Sequence, residues 1–347
     1  MKRFLTTTRR LLALAGLAAL LAGQAAIAQA ERPVAVADRV VLLVDEIHAL
    51  RNFPVVLADK LGYLKNGNMA VTVMNVRYDV SHADMLADGR VDAVMAYYHH
   101  NVVNQAQGRP SQAIVTLGVT PGMKVMVAAG ARERFKTTAD LKGAHFISGG
   151  AGSAKTTLAN GLVLAGGHAL ADYNRQGSES KDANVEALRS GTADLVVAPI
   201  PDDQFYESRA GASVFADLTS ADGTKKALGT LFPSSTVFMA SERVAAHPEM
   251  AQHLADAFVR TLKFINSHSA EEIAALIPPE IKGKDNAAYL RVLKEQMRMF
   301  ANDGSMPADG AQKELKLLAE ANPKYKGVVL EQTYTNRFVT EALKKYR

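Results

Sequence analysis

No cysteine occurs in the 347 residues. Disulfides, thiolate nucleophiles and cysteine-ligated zinc or iron–sulfur centres are therefore excluded, and stability must come from packing. Also missing is a dense lysine and arginine tract with interleaved aromatics, so nothing points to nucleic acid. Neither a nucleophile elbow, a His-Glu-x-x-His pair nor a spaced carboxylate pair is present, so the sequence reads as no enzyme. A Ser-His-Asp triad stays open, because its members need not be neighbours. Beyond residue 30 no apolar run reaches the roughly 20 residues that a membrane-spanning helix needs.

The first thirty residues read as an export address. Lys2, Arg3, Arg9 and Arg10 form a basic head, Leu11 to Gly23 is apolar, and Ala28-Gln29-Ala30 is a small-x-small cleavage site. A cleaved signal peptide over 1–30 is expected, by the general secretory route rather than the twin-arginine one. Without a cysteine after the apolar run there is no bacterial lipid anchor. The leader holds four of the 40 basic residues and no acid, leaving 36 against 35 in residues 31–347. The basic balance thus belongs largely to the leader.

The remainder contains a repeated unit. Met85-Leu-Ala-Asp-Gly89-Arg-Val-Asp92-Ala-Val-Met-Ala96 is echoed by Ala187-Leu-Arg-Ser-Gly191-Thr-Ala-Asp194-Leu-Val-Val-Ala198. Each copy predicts a short helix, a glycine in the left-handed C-cap conformation, and an aspartate opening an apolar strand. Two such units predict two similar α/β lobes. Around them the pattern gives strands over 39–44, 69–76, 113–118, 124–129, 144–148 and 235–240. Asn52 is expected to cap a helix over 53–61, Ser81 a second one, and Thr138 to start a third that ends at Gly143. From Pro248 onward helices are predicted over 248–266, 270–277, 286–302, 308–321 and 336–345, with Ser269 and Glu272 as a capping box.

This order of segments resembles the substrate-binding proteins of the nitrate, sulfonate and taurine class of ABC importers, which includes binders of thiamine-pyrimidine precursors. The likeness is carried by Leu57-Ala-Asp-Lys-Leu-Gly62-Tyr63, the Gly89–Asp92 unit, Asp140-Leu-Lys-Gly143, the Gly191–Asp194 unit and Ala240-Ser-Glu-Arg-Val-Ala-Ala-His247-Pro248-Glu249. The resemblance implies the type II periplasmic-binding-protein fold, two α/β lobes joined by a two-strand hinge with a cleft between them. Residues 31–120 and 236–347 would form lobe 1, and 121–235 lobe 2. It also implies a periplasmic monomer that captures a small molecule and delivers it to an inner-membrane ABC permease with its ATPase, using no cofactor. A sensor module presenting ligand to a signalling receptor is the first alternative, and a metal-binding protein or a secreted enzyme on the same fold stands behind it.

In open α/β sheets ligands bind beyond the carboxyl ends of the strands. Four loops qualify, 45–52, 96–101, 148–157 and 199–204, and helix N-termini there suit a carboxylate, sulfonate or phosphate, so the expected ligand is a small organic anion or zwitterion. The candidate ligand-binding residues are His48, Asn52, Tyr97, His99, Gly152, Ser153, Thr156 and Asp202. Gly149-x-x-x-x-Ala154-Lys155-Thr156 falls one residue short of a phosphate-binding P-loop, with alanine in place of its second glycine. Asp202 and Asp203 fit a helix cap better than a ligand contact. A metal site from Glu46, His48 and His99 is the weaker reading, since the long histidine-rich loop of metal importers is missing.

Overall fold

The computed structural model describes residues 38–66, 69–76 and 81–347; the signal-peptide reading of residues 1–30 lies outside them. Eleven strands follow in chain order: β1 (Asp38–Asp45), β2 (Lys65–Asn66), β3 (Met69–Val76), β4 (Ala93–Tyr97), β5 (Ser111–Thr116), β6 (Met123–Val127), β7 (His145–Ser148), β8 (Asn174–Gly177), β9 (Leu195–Pro199), β10 (Ser213–Leu218) and β11 (Ser235–Ala240). They form a six-stranded sheet ordered β2-β3-β1-β4-β11-β5 and a five-stranded sheet ordered β10-β6-β9-β7-β8. In each sheet a parallel trio, β3-β1-β4 or β9-β7-β8, is extended by an antiparallel strand. The chain passes from the first sheet to the second between β5 and β6 and returns between β10 and β11.

The parallel strands are apolar on both faces because helices cover both. Ala93–Met95 and Leu195–Ala198 are buried without alternation. Helices α1 (Phe53–Lys60), α2 (His82–Ala87) and α3 (His99–Ala106) belong to the first sheet. The second has α4 (Ala154–Ala165), α5 (Lys181–Ser190), α6 (Asp202–Ala210) and α7 (Ala221–Leu228). After β11 come α8 (Ser241–Ala246), α9 (Pro248–Ser267), α10 (Ala270–Leu276), α11 (Pro279–Lys282), α12 (Asn286–Met297), α13 (Ala308–Ala321) and α14 (Arg337–Lys345). Helices α9 and α14 seal one face of the first sheet through Phe258, Leu262, Phe338 and Val339. Helix α13 is shared: Leu317 joins the core of the second sheet and Leu318 a core on the first.

Both repeat glycines adopt the left-handed conformation, Gly89 at φ +64° and Gly191 at φ +76°. Ser81 caps α2 by accepting the Asp84 N–H at 3.2 Å, and the Ser269–Glu272 capping box forms. Other local expectations fail. The helix expected from Thr138 is a single 3-10 turn, Thr138–Asp140, closed by a capping box from Thr137. The helix expected over 286–302 stops at Met297, because Met299 N–H bonds Gln296 and the chain turns toward Val119. Asn52 caps nothing. Its buried amide donates to the Asp45 and Glu46 carbonyls at 2.5 and 3.2 Å, tertiary partners that the local pattern does not reveal. Nor do Asp202 and Asp203 cap α6, which starts from Pro201.

Candidate functional site

The carboxyl ends of the parallel strands of both sheets open onto one cleft of about 1280 Å³. From the first sheet come the loop after β1, with Glu46, His48 and Arg51, and the end of β4 with Tyr97, His99 and His100. His82 lines it from the first turn of α2. Across the cleft stand Gly149 and the 151–155 turn after β7, and Pro199–Asp202 after β9. Tyr289 and Gln296 of α12 line a third side.

Six of the eight candidate residues, His48, Tyr97, His99, Gly152, Ser153 and Asp202, therefore line one cavity. Asn52 and Thr156 do not. Asn52 lies beneath the loop and holds the carbonyl of Glu46, a non-glycine residue at φ +49°. That left-handed backbone costs about 1 kcal/mol or more unless its surroundings impose it. The Glu46 N–H to Val76 carbonyl bond at 3.1 Å and the Asn52 contact do so. Thr156 is buried behind the glycine turn, with Oγ1 2.8 Å from the Gly149 carbonyl and 3.0 Å from that of Gly150. Ser153 Oγ accepts the Thr156 N–H at 3.3 Å, so these hydroxyls shape the turn first.

The charges divide into paired and unpaired. Arg51 spans Asp45 at 3.5 Å and Glu46 at 3.0 Å, and Asp202 holds Lys181 at 2.6 Å. Lys155, half-buried in the first turn of α4, makes no ion pair within 4.0 Å among the described residues. Burial lowers its pKa, while the charge of Asp202 acts against that shift. Asp203 is buried and meets Lys124 at 2.8 Å, and Lys124 also reaches Glu295 of α12 at 2.5 Å.

Opposite Lys155 lies a row of rings. Tyr97 and His99 have centroids 6.1 Å apart, His99 and His100 4.3 Å, and His100 and His82 5.3 Å. Burial holds all three histidines neutral, pushing His99 down to about 4 and His100 well below its usual value. Tyr97 is raised by burial, and its hydroxyl donates to the Pro121 carbonyl at 3.4 Å, between β5 and β6. Sequence reasoning passed over His82, Glu314 behind His99, and the α12 wall; no short-range signal marks them. Among the described residues no three side chains of metal-binding type converge, so Glu46, His48 and His99 do not assemble a metal site. No described helix is long and apolar enough to cross a membrane.

Residues 51–272 match the family model described as NMT1/THI5 like. The chain belongs to this family. Among solved structures, one from Bordetella bronchiseptica RB50 is 27% identical with a TM-score of 0.72, covering 89% of this chain and 98% of that one. The periplasmic aliphatic sulphonate binding protein SsuA from Escherichia coli is 16% identical, with a TM-score of 0.65 over 83% of this chain and 92% of that one. A desulfurization enzyme, DSZB, shares the fold at 14% identity and a TM-score of 0.59, over 89% and 100% of the two chains. No curated protein sequence matches. The fold of this NMT1/THI5-like protein is that of the periplasmic binding proteins, two α/β lobes around a cleft.

Proposed function

We propose that this NMT1/THI5-like protein is the periplasmic solute-binding component of an ABC importer, capturing a small organic anion or zwitterion between its lobes. Among the described residues, those up to 120 and 236–347 would make one lobe and 121–235 the other, in keeping with where the chain changes sheet. The observation that carries the reading is the shared cleft with Lys155 half-buried and unpaired on its wall. A half-buried cation without a partner is costly, and an anionic group on a ligand offsets that cost. Asp202, on the same wall, would release its exposed partner Lys181 to take the positive end of a zwitterion. Closure of the two lobes on the ligand then presents the closed form to a permease.

A thermal-shift panel on residues 31–347, unfolded and refolded to strip carried ligand, tests this. It contains sulfonates, carboxylates, amino acids, pyrimidines, amines and divalent metals. A ligand at a thousand times its Kd stabilises by about 4 kcal/mol, a shift of several °C. Stabilisation by an anionic or zwitterionic class, lost in Lys155→Met, supports the reading. Stabilisation only by metals or simple amines overturns it, and turnover of the ligand points to an enzyme on the same fold.

A further inference from the structure

His99 lies on the cleft wall at the first residue of α3. Its Nδ1 is buried without a hydrogen-bond partner and faces Glu314 of α13, 4.0 Å from Oε1. Glu314 is wholly buried, and neither of its carboxyl oxygens has a partner. His99 is the one basic side chain within 4.0 Å of it among the described residues. A carboxylate in that position would lose its hydration and gain no counter-charge, so the group remains a neutral acid. Burial accordingly pushes its pKa well up, as it pushes that of His99 down.

Ionisation of Glu314 would reverse the polarity of His99. A carboxylate only accepts hydrogen bonds, so it would draw the imidazole proton to Nδ1 and leave a lone pair at Nε2, the form that ligates metals. A carboxylic acid has an O–H to donate. A side-chain rotation of about 1 Å brings the 4.0 Å separation to hydrogen-bond length, with Nδ1 as acceptor. The imidazole proton then resides on Nε2, on the other side of the ring. We propose that Glu314 is a positioning residue that holds His99 as its Nε2–H tautomer, so that this wall of the cleft offers a neutral N–H donor to a ligand oxygen and rejects a metal ion or an amine at that point.

The titratable groups around the pair are consistent with this polarity. Tyr97 on β4 and His82 and His100 at the starts of α2 and α3 are all neutral through burial. Tyr98, raised by burial, is neutral as well, and Asp45 and Arg51, whose charges act on Tyr97, are paired with each other in the loop after β1. No counter-ion for an ionised Glu314 is supplied from these elements.

The proposal deepens the ligand-binding reading, but its test uses the ligand-free chain, so either can fail without the other. The protein, residues 31–347, is labelled with 15N in histidine and 13C at the glutamate carboxyl. His99 and Glu314 signals are identified by their loss in His99→Gln and Glu314→Gln. At pH 7 the Glu314 carboxyl carbon is expected at the shift of a protonated acid, with His99 protonated at Nε2 and bare at Nδ1. Glu314→Gln retains a donor and keeps this tautomer, whereas Glu314→Leu releases it to a mixture. Added Zn2+ is expected to leave the His99 Nε2 signal in place. An ionised Glu314, an Nδ1–H tautomer, or a shift of Nε2 on Zn2+ addition overturns the assignment. If Glu314→Leu fails to fold, the carboxyl signal and the Gln variant decide.

Discussion

Asp194 and His145 bond each other twice across the second sheet: the Asp194 N–H donates to the His145 carbonyl at 2.8 Å, and the His145 N–H donates to Asp194 Oδ2 at 2.9 Å. Asp92 and Val41 do the same in the first sheet, at 2.9 and 2.8 Å. The remaining carboxylate oxygen holds an arginine in each case, Arg134 at 3.2 Å and Arg243 at 2.5 Å. The aspartate repeated in sequence is thus a repeated joint, in which a side chain replaces a missing ladder acceptor on the neighbouring parallel strand.

Asp194→Ala therefore leaves the His145 N–H without its acceptor. A loss of about 1–3 kcal/mol is expected. Asp194→Asn keeps an amide oxygen as acceptor and forfeits only the Arg134 pair. Since the Arg134 side chain is 62% exposed, that pair contributes less than about 1 kcal/mol. Urea unfolding of the two variants separates these contributions, and equal losses would mean that the arginine matters more than the strand.

Lys124 ties the second sheet to α12 through Asp203 and Glu295. Lys124→Met strands Asp203, which is 4% exposed, as a buried charge. Breaking such a pair from one side costs about 3–5 kcal/mol. Lys124→Met combined with Asp203→Asn removes the stranded charge and is expected to recover much of that loss. Thermal unfolding of Lys124→Met, Asp203→Asn and the double variant closes the cycle; additive losses would show that the pair is not coupled. Glu295→Gln alone, at a more exposed site, is expected to cost less.

The pH dependence of stability follows from four buried groups. His82, His99 and His100 have folded pKa values below their ordinary 6.5, so the unfolded chain binds more protons there. Their stabilisation is complete above 6.5 and is lost as pH falls toward the folded values. His99, pushed down to about 4, accounts for about 3 kcal/mol of it. Glu314 has the opposite sign: raised above its ordinary 4.5, it stabilises fully below 4.5 and loses that contribution as pH rises. Three histidines against one carboxyl give a net rise in stability between about pH 4.5 and 6.5, then a decline for as long as Glu314 keeps its proton in the folded chain. Melting temperatures across pH 4 to 9 test this, and Glu314→Gln is expected to abolish the decline while retaining the rise.

Local patterns made much of the architecture legible. The glycines of the repeat end helices because the left-handed turn needs them, and the apolar strands that follow are buried on both faces. The loops at the strand ends were legible by the same topology. What escaped was set by contacts between distant segments. Asn52 has the composition of a cap, yet its amide is drawn under the loop by the Asp45 and Glu46 carbonyls. Glu314 lies 215 positions after His99 on a helix whose other exposed face is charged, and only the packing of α13 between the lobes buries it. Ser153 and Thr156 were legible as hydroxyls near an anion site, but not as hydroxyls already committed to their own turn.

That commitment makes Thr156 a test of how the site is built. Its hydroxyl meets the carbonyls of Gly149 and Gly150 and the hydroxyls of Ser148 and Ser153, at 2.8 to 3.2 Å. Thr156→Val keeps the shape and deletes every one of these partners, leaving buried polar groups unpaired. A stability loss of about 1–3 kcal/mol is expected. The glycine turn, no longer held, leaves Gly152 and Lys155 less well ordered against the cleft. Affinity for the ligand found by the thermal-shift panel should then fall, although Thr156 does not line the cleft. Thr156→Ser restores the hydroxyl and should recover both stability and affinity. Calorimetric titration of the three proteins distinguishes the cases. Affinity unchanged in Thr156→Val would mean that ligand capture does not depend on the shape of this turn.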